Sequence, residues 1–141
     1  MRKVLIQKEP LDLDKLMKEA GTDRDGSVVT FIGRARNESM GKRVEYLYYE
    51  IYNGMALKEI EKIVNLAAEK WSLSSCLVVH RYGRIGIGEP SIAIAVSSPH
   101  REESFQSAQY IISEIKDRVP IWKKEYYSDG SEWISGKSEN T

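Results

Sequence analysis

Residues 113–125, SEIKDRVPIWKKE, join two patterns of different period: the spacing of a helix up to Arg118 and, beyond Pro120, the run of a strand. Proline has no amide hydrogen, and its ring disfavours helical geometry in the residue before it, so the helix stops near Arg118 or Val119. Lys116 then lies in the last helical turn, and Lys123 follows Trp122 across the forced exit. Two accounts of Lys116 compete. A cation near a helix C-terminus is favoured by the dipole and can reach the last carbonyls. However, Lys116 sits one turn after Ile112, at the edge of the apolar stripe, where an ammonium is partly desolvated and its pKa falls; lysines become acids, bases or nucleophiles in this way.

Upstream of this exit the same helix reads back through Ile115, Ile112, Ala108 and Phe105, with Val119 closing the stripe. Ser98 is expected as its N-cap and Pro99 as its first residue, so His100 and Arg101 fall in the first turn. Residues 91–98, SIAIAVSS, read as a strand with Ile92, Ile94 and Val96 on one face and the small Ala93 and Ala95 on the other, suited to close packing. A second long helix is expected from an Asn53 cap to about Trp71, with Ala56, Ile60, Ile63 and Ala67 on one stripe. Residues 3–7 form a first strand, and Asp12 caps a short helix carrying Leu13, Leu16, Met17 and Ala20 that stops at Gly21.

Between these lie the remaining strands. Residues 27–36, SVVTFIGRAR, start β-branched and apolar and turn basic at Arg34 and Arg36; the first half is expected to be buried and the end to present guanidinium groups. An edge strand protected by charge would look the same. Residues 37–43 read as a polar, mobile loop around Gly41. Residues 44–52, VEYLYYEIY, place Leu47, Tyr49 and Ile51 on one face and Tyr46, Tyr48 and Tyr52 on the other, so that neither face is simply wet. Cys76 lies beside Leu77, Val78 and Val79, where a thiol is inert packing, and His80 and Arg81 end that strand. GRIGIGE has the wrong spacing for a dinucleotide loop and precedes a strand; it reads as a bent connection. Residues 121–127 and 132–134 flank SDGS as a C-terminal hairpin, and 136–141 read as a loose tail in which Lys137 could order against an anion.

The chain has 141 residues, enough for a single domain over 1–141 with a real core. Its 21 basic and 21 acidic residues give zero formal net charge, so no overall field draws it to nucleic acid or membrane, and any anion site is local. One cysteine and two histidines leave no internal disulfide and no multi-ligand metal centre; no metal and no cofactor are expected. The apolar run at the N-terminus is too short for a signal peptide, and nothing later approaches a membrane span, which points to a cytoplasmic protein.

His100 and Arg101 stand at a helix N-terminus, where free amides and the dipole bind phosphate or carboxylate. An ordinary exposed first turn is the plainer explanation, yet cations at the positive end make more sense where an anion binds. Fifteen residues separate Arg101 from Lys116, about 22 Å at 1.5 Å per residue. One small ligand meets both only if a second copy of the chain, related by a twofold axis, lends its His100 and Arg101 to the first copy's lysines.

Taken in order, VVTFIGRARN (28–37), YYEIYNGMA (48–56), HRYGRIGIGE (80–89), SSPHRE (97–102) and DRVPIWKKE (117–125) resemble the family of molybdopterin synthase catalytic (large) subunits, over about residues 26–133. The resemblance implies an α+β fold of α/β-hammerhead type, a mixed or antiparallel sheet with two long helices and a C-terminal hairpin. It implies a homodimer within a heterotetramer, each end carrying a small ubiquitin-like sulfur carrier whose C-terminal Gly-Gly ends in a thiocarboxylate. The substrate it implies is the pterin phosphate precursor Z, cyclic pyranopterin monophosphate, converted to molybdopterin by installing the dithiolene sulfurs. Imported sulfur fits a chain whose one cysteine reads as inert. Carried over by motif, Lys116 and Lys123 match active-site lysines, and Arg34, Ala35, Arg36, His100, Arg101, Lys116, Lys123, Lys124 and Glu125 match substrate-binding positions. Lys137, also matched to a substrate-binding position, stands where family members often have an arginine, and a lysine offers the phosphate a point charge rather than a bidentate contact. The rivals are a non-catalytic anion- or RNA-binding module and a scaffold whose tyrosine-rich and alanine-faced strands only form interfaces.

Overall fold

A computed structural model describes residues 1–135; the expected loose tail, with Lys137, lies outside the described residues. In chain order the elements are β1 (Arg2–Gln7), α1 (Leu13–Glu19), β2 (Ser27–Arg34), β3 (Glu38–Ser39), β4 (Lys42–Ile51) and α2 (Asn53–Lys70). Then come β5 (Ser75–Arg81), β6 (Gly83–Gly86), β7 (Pro90–Ser98), α3 (Arg101–Arg118), β8 (Ile121–Tyr127) and β9 (Glu132–Ser135). The fold is α+β.

One sheet has the order β1-β5-β7-β2, with β1 parallel to β5 and the other pairs antiparallel. The alternation of β7 decides what lies on each side. Ile92, Ile94 and Val96 meet Ile60, Ile63 and Val64 of α2 and Ala108, Ile111 and Ile115 of α3 in the main core. Each such isoleucine, fully buried, stabilises the fold by about 1.5–3 kcal/mol. Ala93 and Ala95 face the other way, and their small side chains admit Leu16 of α1 against Leu77. Asp12 caps α1 as expected, accepting from the Lys15 amide at 3.0 Å.

The second sheet runs β3-β4-β8-β9, with β6 also paired to β4. Along β8 the alternation buries Ile121, Lys123, Glu125 and Tyr127 on its inner face. The outer face carries the other tyrosines: Tyr46 stacks on Tyr126 with centroids 4.4 Å apart, and the Arg84 guanidinium lies 4.0 Å over the Tyr46 ring.

Several local expectations are revised. Residues 27–34 form the free edge of their sheet, and Val28 and Ile32 are exposed because α1 covers only part of that face. Residues 37–43 are not an open loop: Glu38 pairs with Arg43 and Ser39 with Lys42 around Met40 and Gly41, both at positive φ (51° and 74°). This is the two-residue connection whose twist suits a hairpin. GRIGIGE contains β6 rather than only a bend. Asn53 is the first residue of α2 and gives no cap; Tyr52 holds the cap position. Pro99 stays outside α3, with His100 extended at the cap position and its carbonyl taken by the Ser98 hydroxyl at 2.6 Å. Phe105 is 62% exposed, because Ser104, Ser107, Ala108, Ile111 and Ile115 form the buried stripe and the small serines let α3 approach the sheet.

Met40 holds a left-handed conformation that asparagine adopts at lower cost. Met40→Asn should stabilise the protein by up to about 1 kcal/mol in urea denaturation, leaving the m-value unchanged.

Candidate functional site

The bend at Pro120 builds the site. Val119 caps α3 in an extended conformation, its amide donating to the Ile115 carbonyl at 3.1 Å, and the chain enters β8 directly. Pairing of β8 with β4 sets Lys123 opposite Tyr49. The last turn of α3 and the inner face of β8 thereby converge, and Lys116 and Lys123 line one narrow cavity of about 30 Å³. Gly33 and Arg34 from β2, Tyr49, His80 and Ser91 complete its polar rim and floor. A wider groove of about 410 Å³ runs between β2 and α3 past Phe31, Phe105 and Ile112, and Lys116 lines this groove as well.

Electrostatics separates the two lysines. Burial of its ammonium, with Lys123 and Arg36 nearby, lowers the Lys116 pKa to about 8. Lys123 is more deeply buried, and its ammonium lies 3.2 Å from the Glu125 carboxylate. Glu125 also accepts from the Tyr127 hydroxyl at 2.7 Å. Burial alone would raise the Glu125 pKa; the hydrogen bonds from Tyr127 and Ser39 and the Lys123 charge outweigh it and hold the carboxyl below its usual range. Burial and the same carboxylate push the Tyr127 hydroxyl up to about 12, so it remains a donor.

A register shift between Gly33 and Arg34 re-aims the end of β2. Arg34 donates to the Gly88 carbonyl at 3.0 Å, while the Ala35 backbone is tied to Gly88 and Glu89. Arg36 is exposed just beyond, close enough to Lys116 to depress it. Of the sequence candidates, then, Arg34, Arg36, Lys116, Lys123 and Glu125 gather here. Four others do not. The Ala35 side chain is packed with Val44, Leu47, Ile85 and Tyr127, so its backbone is what it offers. Lys124 takes the outer face of β8 by strand alternation and pairs with Glu132 at 3.1 Å. His100 and Arg101 stand at the opposite end of α3, where His100 borders a separate open groove with Arg24 and Trp71.

Sequence reasoning passed over Tyr49 and Ser91 and gave His80 little weight. The signals were present: Tyr49 shares the inner face with Leu47, and His80 continues the alternation of Cys76 and Val78 toward the core. Cys76 is buried, which raises its thiol pKa to about 12, and it takes no part in the site.

The model of the MoaE protein family matches residues 6–118. The chain belongs to the MoaE family. Among its relatives, a Bacillus subtilis molybdopterin synthase catalytic subunit is 40% identical over 141 residues, covering 100% of this chain and 90% of that one. A Dictyostelium discoideum protein of the same name is 44% identical over 129 residues, covering 90% of this chain and 82% of that one. Among solved structures, a crystal structure of molybdopterin synthase from Staphylococcus aureus superposes with a TM-score of 0.88 at 37% identity, over 94% of this chain and 96% of that chain. The bend and both lysines of this MoaE chain therefore sit in a fold shared with those proteins.

Lys116 carries its charge at a cost to the fold, so Lys116→Met should raise the Tm at pH 7 by roughly 2–5 °C. The sign with pH follows from the depressed pKa. Between about 8 and the ordinary 10.5 the unfolded chain keeps a proton that the folded chain has released. The stability of the native sequence therefore rises relative to that of the variant over this window, and the gap in Tm narrows. Melting curves of both proteins from pH 7 to 10 check this.

Proposed function

We propose that the chain is the catalytic subunit of a molybdopterin synthase. It transfers sulfur from the thiocarboxylated Gly-Gly end of a small ubiquitin-like carrier to cyclic pyranopterin monophosphate, forming the dithiolene of molybdopterin. The observation that carries this reading is the pair of lysines, Lys123 buried and Lys116 half-buried, where two cavities of different width share Lys116. The narrow cavity suits a chain without side chains, such as a glycine terminus; the wider groove suits a bicyclic ring, and Lys116 belongs to both. Each transfer breaks the carrier's C–S bond and forms a C–S bond on the pterin, and water restores the carrier carboxylate.

In this reading Lys116 neutralises the carrier's terminal anion and exchanges protons with it, as a pKa near 8 permits. Lys123 assists as a fixed charge, oriented by Glu125, whose role is to hold that ammonium rather than to meet the substrate. Arg34 and Arg36 border the same junction and take the substrate's phosphate together with His100 and Arg101. The last two come from a second copy of the chain, because within one chain they lie at the far end of α3. The free edge of β2, with Val28, Ile32 and Phe105 exposed along it and the adjoining groove, supports a homodimer, with one carrier per protomer in a heterotetramer. We place the enzyme in the cytoplasm; among the described residues no helix is long and apolar enough to cross a membrane.

The anion- or RNA-binding alternative gains no support. The buried Lys123 and the half-buried Lys116 line a cavity rather than a basic surface, and the exposed face of the second sheet mixes Lys124 with Glu50 and Glu132.

Lys116→Ala should lower product formation, followed as the oxidised fluorescent derivative of molybdopterin, by at least about 10³-fold while carrier binding persists. Undiminished turnover would remove Lys116 from the chemistry. Mixing the inactive Lys116→Ala and Arg101→Ala chains after dissociation should restore roughly a quarter of native activity. Half of the random dimers are mixed, and each of these has one intact site of two. No recovery would mean that both residues serve a single protomer.

A further inference from the structure

His80 is a buried polar side chain in the narrow cavity to which the reaction outlined above assigns no task. Its Nδ1 lies 2.9 Å from the Arg81 backbone carbonyl. A carbonyl oxygen only accepts, so Nδ1 carries the hydrogen, and in the neutral ring Nε2 is left with a lone pair. The Tyr49 ring meets the imidazole edge-on at 5.5 Å and fixes its plane. Burial, with the charge of Lys116 adding to it and the bond to Arg81 opposing it, lowers the His80 pKa to about 4, which keeps the ring uncharged at neutral pH.

The cavity is otherwise rich in donors. Lys116, Lys123 and Arg34 bring only N–H groups; the Ser91 hydroxyl donates to the Gly33 carbonyl at 3.3 Å, so the side-chain acceptors on this lining are the Ser91 and Tyr49 hydroxyl oxygens and the His80 imidazole. A terminal glycine offers two unlike groups: an anionic end that needs donors and, one residue back, an amide N–H that needs an acceptor. Without an acceptor that buried N–H would be left unsatisfied, at a cost of about 1–3 kcal/mol. We infer that His80 is a specificity residue for the carrier tail, with Nε2 accepting the amide hydrogen of the carrier's last residue while the lysines hold its terminal anion. The inference rests on the proposed function, since it assumes that the tail occupies this cavity. It adds a requirement that charge alone does not impose: the end group must be a peptide amide and not merely an anion.

The test uses the full chain and the Gly-Gly-ended carrier of the same organism in its stable carboxylate form. One version is native, and one is semisynthetic with an ester in place of the last amide; binding is measured by calorimetry. The native chain should bind the ester carrier roughly tenfold more weakly. His80→Asn keeps a donor for the Arg81 carbonyl but has no acceptor at the Nε2 position. It should bind the amide carrier roughly tenfold more weakly and show no further loss with the ester. His80→Gln, which carries an oxygen near the Nε2 position, should recover part of the amide preference. Equal binding of the two carriers by the native chain overturns the inference even if the asparagine variant fails to fold. So does a His80→Asn chain that still prefers the amide tenfold, or one that loses turnover with carrier affinity unchanged, as expected if His80 acted only through Lys116. Absence of any carrier binding by the native chain would instead strike at the proposed function itself and take the inference with it.

Discussion

Two ammonium groups held in one small space are the constraint on which the site depends. Like charges at short range in a low-dielectric environment repel, and each also loses hydration on burial. The protein answers differently for the two. Lys123 is compensated on the spot by Glu125, itself held by Tyr127 and Ser39. Lys116 has its pKa lowered, chiefly by burial, to about 8, which lets it hold or release a proton near physiological pH. Function here is drawn from an arrangement that stability alone would not favour.

That arrangement is possible because rigid elements deliver both side chains. α3 is anchored by Ile111 and Ile115 in the main core, β8 by its pairing with β4 and β9, and Pro120 forbids the helix from continuing past the junction. The β3–β4 hairpin contributes through Ser39, so a segment that reads as an open loop in fact supports the Glu125 carboxylate that steadies Lys123. His80 enters from a third direction, at the end of β5. The cavity is thus shared among β2, β4, β5, β7, α3 and β8, and no single segment of the chain contains it.

The two cavities give the chemistry a direction. A narrow cavity and a broader groove share Lys116, so under the proposed function a thin sulfur-bearing tail and a bulky acceptor would meet at that residue. The inert Cys76 agrees with sulfur that arrives from outside the chain. Under the proposed function, the distance from Arg101 to Lys116 along α3 and the apolar free edge at β2 are the reasons for assigning the phosphate side to a second protomer.

Much of this was legible in the sequence, and the reason is locality. The stop at Pro120, the N-cap at Asp12 and the stop just before Gly21, the strand alternation of β4 and β7, and the placement of Lys116 at the margin of an apolar stripe are all fixed by neighbours within a few residues. What the sequence left open depended on which way an element turns. A helix stripe can rotate, as it does where Ser104 and Ser107 displace Phe105 from the core of α3. A polar stretch can fold back on itself, as 38–43 do around two residues at positive φ. Whether His80 and Tyr49 belong to a site, and whether Lys124 and the Ala35 side chain do not, was decided only when β4 paired with β8 and β5 with β7. Those pairings join residues tens of positions apart, and their geometry comes from packing over the whole chain rather than from any local pattern.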